Sequence, residues 1–253
     1  MFEVKIISLK SQEKRRKHMA DLFDKSDVNW SFFDAVPGVQ VDPYLSHYDQ
    51  KQRRRFPGHD MTRNEIACFI SHREVWKLCA EAGHAFVVLE DDAYVLQQGC
   101  SVDSLKVLME DFEKIPHRDC VIRLGHGGYK NEYHFLRKLP AGFSLVRYQR
   151  DPLCALAYVI TPSVAKKLIK NSEKFFLAVD DYLWNGNESG VFVLDIEPVL
   201  FSAAVEGNPS TIGERKKEKM GPWKKLQREF FRFFFIRKQR EFEKKAVKVL
   251  KEY

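Results

Sequence analysis

Three carboxylates in a row, Glu90-Asp91-Asp92, directly follow the apolar run Phe86-Val87-Val88-Leu89. A run of β-favouring residues too short for a typical helix, with turn-prone Asp at its end, reads as a buried strand opening into a loop. The acids then stand at the carboxyl edge of a sheet, where open α/β sheets bind their ligands. Neighbouring carboxylates repel one another, so the cluster stays charged only beside water, cationic groups or a metal ion. Oxygen ligands suit Mg²⁺ or Mn²⁺ better than Zn²⁺, and such an ion commonly completes its shell with substrate phosphates. The other reading is a solvated turn whose Asp residues cap the next element.

The chain around this segment alternates strands and helices. Residues 3 to 9 read as a strand and 12 to 24 as a helix with Met19, Leu22 and Phe23 on one side. A strand at 29 to 33 comes next, which is the opening of a parallel sheet. Residues 36 to 61 carry Pro37, Gly38, Pro43, Pro57, Gly58 and the basic run Arg53-Arg54-Arg55, and read as a long loop of the kind that serves as a substrate lid. Thr62-Arg63-Asn64-Glu65 has the spacing of a capping box ahead of a helix to about residue 82, which Gly83 would end. Further on, a helix is expected at 101 to 114, strands at 120 to 124, 153 to 161 and 191 to 196, and a helix from Thr161-Pro162 to about 171. The glycine-rich turn Gly125-His126-Gly127-Gly128 lacks the dinucleotide-binding spacing and reads as a flexible turn on the acceptor side. Residues 1–212 thus form one α/β domain.

Charge separates this domain from the C-terminal tail. Residues 213–253 hold 15 Lys and Arg against 6 Asp and Glu, a net +9, so residues 1–212 hold 27 against 29, a net −2. A nearly neutral body argues against a nucleic-acid-binding protein, whose basic footprint would cover the folded surface. In the tail, Leu226, Phe230, Phe233 and Phe234 fall on one helical arc from Trp223, widened by Phe231 and Phe235, and Lys224, Lys225, Arg228 and Arg232 fall on the other. A basic amphipathic helix suits an anionic membrane surface, and a helix docked on the domain is the competing reading. No run approaches the ~20 apolar residues of a membrane span. Met1-Phe2-Glu3 leads straight into a strand without a secretory leader, so the expected location is the cytosol. The five cysteines are widely spaced with no C-x-x-C pair, which indicates neither a disulfide framework nor a zinc site.

Five blocks carry a resemblance. Val4-Lys5-Ile6-Ile7-Ser8-Leu9 with Glu13-Lys14-Arg15-Arg16, then Glu65-Ile66-Ala67-Cys68-Phe69-Ile70-Ser71-His72, Leu89-Glu90-Asp91-Asp92-Ala93, Ala157-Tyr158-Val159-Ile160 and Val179-Asp180-Asp181-Tyr182-Leu183 resemble, in order and spacing, glycosyltransferase family 25, which includes bacterial lipooligosaccharide galactosyltransferases. Ala67 stands where that family usually has Gly. The resemblance implies a GT-A-type fold and an inverting, metal-assisted transfer of a hexose, galactose first, from a UDP-sugar to a lipooligosaccharide acceptor at the cytoplasmic face of the inner membrane. Another UDP-sugar donor, or a non-catalytic membrane-surface module, is the alternative. By the family pattern Asp92, with Glu90, would ligate Mn²⁺ or Mg²⁺, and Glu90 or Asp91 would bond the donor's ribose or a metal-bound water. Asp180, with Asp181 beside it, is the expected catalytic base, against the reading of an Asp that caps the next helix. Ser8, Leu9 and Arg15 lie where the first strand feeds the first helix, a natural place for a nucleotide. Ser71 and His72 are expected near the donor, and Glu65 as a helix cap with donor contact second. A late metal ligand would have to come from Glu206, Asn208 or water.

Overall fold

The computed structural model describes residues 1–56, 59–96, 102–114, 120–126, 132–149, 152, 154–203 and 222–250. Its chain order is β1 (Phe2–Ser8), α1 (Glu13–Phe23), β2 (Trp30–Asp34), α2 (Gln50–Arg55), α3 (Arg63–Ala82), β3 (Ala85–Glu90), β4 (Ala93–Val95), α4 (Ser104–Phe112), β5 (Cys120–Gly125), β6 (Tyr133–Lys138), β7 (Ser144–Tyr148), β8 (Ala157–Ile160), α5 (Pro162–Asn171), α6 (Val179–Leu183), α7 (Gly186–Ser189), β9 (Phe192–Glu197), β10 (Phe201–Ala203) and α8 (Pro222–Leu250). The strands form one sheet in the order β2-β1-β3-β8-β5-β9-β7-β6, with β10 beside β4 and β5.

The β1-α1-β2 unit is parallel as expected, and β3 joins β1 in parallel with Ile7 opposite Glu90. β8 runs antiparallel between β3 and β5. The unbroken apolar run of β3 results from its place: Phe86 and Val88 face one core with α3, α5 and α6, while Val87 and Leu89 face the other with α1 and α4. A sheet covered by helices on both faces agrees with the GT-A-type expectation. The strands β4, β6, β7 and β10 have no counterpart in the sequence reading: β4 and β10 are three residues long and pair across about a hundred residues of chain, and β6 is mostly exposed, so that its hairpin with β7 lacks a clear apolar pattern.

Local chemistry set the helix ends where it was strongest. Thr62 Oγ1 accepts from the Glu65 backbone at 3.2 Å and Glu65 Oε2 accepts from the Thr62 backbone at 2.8 Å, so the capping box is present. Gly83 ends α3 at φ 74°, where a side chain would be strained. Pro57 and Gly58 lie outside the described residues, and residues 36 to 56 and 59 to 61 depart from the expected lid. They hold two 3₁₀ turns and α2, and are bolted to the body: the Arg53 guanidinium is buried and donates to the carbonyls of Phe176 and His59, both at 3.1 Å, while Phe175 donates to His47 O. The glycine at 125 is also not a hinge. A Cβ there would lie 2.5 Å from Phe201 O, so its role is the close approach of β5 to β10; Gly127 and Gly128 lie outside the described residues.

The tail helix docks on the body along one stripe. Phe235 lies 4.3 Å from the Phe56 ring and 6.3 Å from Phe176, Phe242 lies 5.1 Å from Phe192, and Gln239 Oε1 accepts from the Asn187 backbone at 3.1 Å. Gly186 makes room, since a Cβ there would stand 2.1 Å from the Phe242 ring. The wheel places Phe235 on the same apolar arc as Phe230, Phe233 and Phe234; instead, Phe235 docks and the other three stay exposed. The side chains of residues 222–228 are not among those described.

Candidate functional site

The parallel register of β1 and β3 brings the end of one strand beside the acidic end of the other. A cleft opens there, lined by Ser8, Leu9 and Arg15 from the first unit, by Cys68, Ser71 and His72 from α3, and by Glu90, Asp91 and Asp92. Residues from positions 8 to 92 thus meet at the carboxyl edge, and α6 adds Asp180, whose carboxylate feels the charges of Glu90 and His72.

Each acid has a different environment. Asp91 is buried; Ser8 Oγ donates to its Oδ2 at 2.6 Å and Arg15 Nη1 to its Oδ1 at 3.0 Å. Ser8 and Asp91 therefore satisfy each other and brace the loop. Glu90 faces His72, with Oε1 3.2 Å from Nε2. Asp92 Oδ2 lies 3.6 Å from Arg15, whereas its Oδ1 is buried with no hydrogen-bond partner among the described residues. Burial, the nearby Glu90 and the Asp91 charge push the Asp92 carboxyl up to about 6, with Arg15 opposing. Burial and Glu90 likewise raise Asp180 to about 6. Arg15 stands against Asp91 and Asp92, and Glu90 is within electrostatic reach of Asp92 and Asp180; an orphaned carboxylate oxygen among these acids has the donor chemistry of a hard divalent cation. Asp92 and Glu90 thus fit such an ion.

The remaining candidate residues divide between cleft and scaffold. Asp180 is not a helix cap: the N-cap of α6 is Ala178 and makes no side-chain cap, so Asp180 is free to point at the acids from the first turn. Asp181 is exposed on the other side of that turn. Glu65 is buried and engaged as the cap of α3. Ser71 donates to Ala67 O at 2.8 Å and accepts from the Val36 backbone at 2.9 Å, tying the chain after β2 to α3. His72 is fully buried, with Nδ1 2.8 Å from Tyr158 Oη, which in turn accepts from Trp76 Nε1 at 2.9 Å. Leu9 is a half-buried wall of the cleft. Glu206 and Asn208 lie outside the described residues.

Residues 1–183 match the family model described as glycosyltransferase family 25 (LPS biosynthesis protein). The chain belongs to this family. Among its relatives, the lacto-N-neotetraose biosynthesis glycosyltransferase LgtB of Neisseria meningitidis serogroup B is 30% identical over 120 residues, 42% of this chain and 36% of that protein. A Bos taurus protein described as a probable inactive glycosyltransferase 25 family member 3 is 28% identical over 199 residues, 72% of this chain and 31% of that protein. The chain therefore matches only about a third of the length of these curated relatives. Among solved structures, a Drosophila β1,4-galactosyltransferase 7 complex with manganese, UDP-Gal and xylobiose aligns with 90% of this chain, and this chain with 79% of it, at 11% identity and a TM-score of 0.45, too remote to argue from.

Within this family-25 cleft, the sequence reading missed the groups behind it. Tyr158 and Trp76 hold His72 from the far side, and Cys68 stands beside His72 and Glu90. Arg123 and Asp195 form a buried pair at 2.8 Å, with the guanidinium 4.1 Å over the Trp184 ring just beyond α6. Their signal was present: one charge in each of two apolar strands, directly opposite in the β5–β9 register. Losing one partner of such a pair costs about 3–5 kcal/mol, so the pair anchors the segment that carries Asp180.

Proposed function

We propose that this chain is a glycosyltransferase that moves a hexose, galactose from UDP-galactose as the sequence resemblance implies, onto a lipooligosaccharide acceptor with inversion at the anomeric carbon. The observation that carries the reading is the orphaned, buried Oδ1 of Asp92 at the carboxyl edge of the sheet, and membership of family 25 supports it. When bound at Asp92 and Glu90, Mn²⁺ or Mg²⁺ supplies the charge that neutralises a diphosphate leaving group. Arg15 holds Asp91 and Asp92 in place and adds positive charge on the side of the first helix. Asp180 takes the acceptor proton; a carboxylate raised to about 6 accepts a proton near neutral pH far better than an ordinary one. A panel of UDP-sugars with Mn²⁺ tests the whole reading. UDP release is expected to be fastest from UDP-galactose; faster release from another sugar corrects the donor, and neither UDP binding nor release from any donor overturns the enzyme reading in favour of a non-catalytic module.

The same proposal places the enzyme on the cytoplasmic face of the inner membrane through α8. No helix among the described residues is long and apolar enough to cross a membrane. On α8, Phe230 and Phe233 are 60% and 63% exposed on the helix that also carries the exposed Arg237 and Arg240, a combination suited to an anionic lipid surface. Each basic residue near such a surface contributes ~1 kcal/mol, an attraction that salt screens, whereas inserted rings resist salt. Cutting off the tail would uncover Phe56, Phe176 and Phe192, so point changes are the cleaner probe. Phe230→Ser, Phe233→Ser and Phe234→Ser together are expected to abolish the salt-resistant part of co-sedimentation with anionic vesicles and leave the fold intact. Equal sedimentation of this variant and the unaltered chain would make α8 a purely structural helix.

A further inference from the structure

We propose that Cys68, His72 and Glu90 form a second divalent-ion site, one for a thiophilic ion of the Zn²⁺ or Co²⁺ type, which shares Glu90 with the oxygen-ligand site. Cys68 and His72 are four apart on α3 and so present their side chains on one face, toward the end of β3. One ligand atom from each of the three residues lies within 4.8 Å of the others, with His72 Nε2 and Glu90 Oε1 3.2 Å apart. Bonds of about 2.0–2.3 Å to nitrogen, oxygen and sulfur, arranged tetrahedrally, need ligand atoms only slightly more than 3 Å apart, so a small closure of this trio suffices. All three line the cleft, which leaves the remaining position open to water or a substrate oxygen.

The groups behind His72 have the arrangement of an outer shell. Tyr158 Oη, held by Trp76, stands at Nδ1. With the proton on Nδ1 and donated to Tyr158, the bare Nε2 faces Glu90, and two facing lone pairs need a cation or a proton between them. Without an ion, the other tautomer places Nε2–H against Glu90. The thiol fits the same logic. An ordinary thiol is mostly protonated at neutral pH, and only its thiolate is a strong metal ligand. The carboxylates that resist a thiolate attract the ion that stabilises one. On binding, the S–H bond breaks, a sulfur–metal bond forms and the proton passes to water; affinity therefore rises with pH. The site escaped the cysteine count because its ligands come from one helix and a distant strand rather than from a C-x-x-C pair. Because Glu90 is shared, a thiophilic ion would displace the hard ion of the proposed transfer reaction. That consequence rests on the glycosyltransferase reading, whereas the site itself does not.

The test is the absorption spectrum of the full-length chain with equimolar Co²⁺. A thiolate-to-cobalt charge-transfer band with strong tetrahedral visible bands is expected, retained in Asp92→Asn, lost in Cys68→Ser, and accompanied by release of a proton per ion. Protection of Cys68 from alkylation by Zn²⁺, read by peptide mass on the unaltered chain, needs no variant. The proposal is overturned by the absence of a charge-transfer band in the unaltered chain, by a lack of protection, or by a band that survives Cys68→Ser and disappears in Cys154→Ser, the other half-buried thiol that feels Glu90 and Asp180. Since none of these readouts uses a sugar donor, their failure leaves the donor experiment standing, and the reverse also holds.

Discussion

Asp180→Asn is expected to cut turnover by about 10²–10⁴-fold, the range for removing a general base, while leaving ion-dependent UDP binding intact. The amide keeps the shape of the side chain on the first turn of α6 but cannot take a proton. The same change should make the ion-free protein more stable at neutral pH. Asp180 has its pKa raised to about 6 by burial and by Glu90. Between the unfolded value near ~4 and the folded value, the native state holds a proton that the unfolded chain has released. The stability this contributes is complete below the unfolded value and is lost as pH rises through about 6, where the folded chain carries an ill-solvated charge. Asn carries no such charge. The variant should therefore match the unaltered chain near the low end of the window and exceed it above the folded value, by on the order of 1–3 kcal/mol after allowing for solvent screening of a half-buried group. For a domain of this size that is several degrees in Tm. Thermal melts at low and neutral pH, with turnover measured alongside, check both halves. Near-normal turnover would move the base to another acid, Asp181 first; an unchanged melting profile would show that Asp180 carries no buried charge.

Asp92→Asn should produce the complementary pattern. Calorimetry is expected to show UDP affinity falling by more than the ~10–100-fold that accompanies loss of even an outer-sphere partner of a metal site, with the difference between Mn²⁺ and chelator largely gone. The reason is local. Asp91 is engaged by Ser8 and Arg15, and Glu90 Oε1 faces His72, whereas Asp92 Oδ1 is a buried acid oxygen without a hydrogen-bond partner among the described residues. Asp92 has its pKa raised to about 6 as well, so this variant too should gain stability without an ion above that pH. Two neighbouring neutralisations with similar effects on stability thus separate in function, one abolishing ion-dependent binding and the other turnover. UDP affinity that is unchanged and still ion-dependent in Asp92→Asn would remove the metal role from this residue.

Much of the fold was legible because it rests on interactions close in sequence. The capping box at Thr62 and Glu65, the stop at Gly83, and the cap at Thr161 ahead of Pro162 are satisfied by atoms within a few residues, and each appears as expected. The parallel β1-α1-β2 unit came from hydrophobic pattern and length alone. The strands β4, β6, β7 and β10 were not legible. The turn of residues 36 to 56 into helical turns pinned by a buried Arg53 was also hidden, because the carbonyl of Phe176 that holds it lies far along the chain.

The candidate site divides in the same way. The sequence by itself determined which residue types were present and roughly where: an acidic strand end at 90 to 92, a second pair at 180 and 181, a Ser-His pair on a helix, and a basic aromatic tail. Alternation of apolar and polar residues is a local property, and so are caps and turns, so those features survive in one dimension. Only the tertiary structure decided how the acids differ. Parallel register placed Ser8 and Arg15 against Asp91, burial isolated an oxygen of Asp92, and α6 turned Asp180 toward Glu90 and Asp181 toward solvent. It also brought Cys68 and His72 to Glu90, and divided the tail's rings into Phe235 and Phe242, which dock, and Phe230, Phe233 and Phe234, which do not. Solvation and charge coupling depend on neighbours in space, and residues 8, 68, 90 and 180 become neighbours only when the sheet closes.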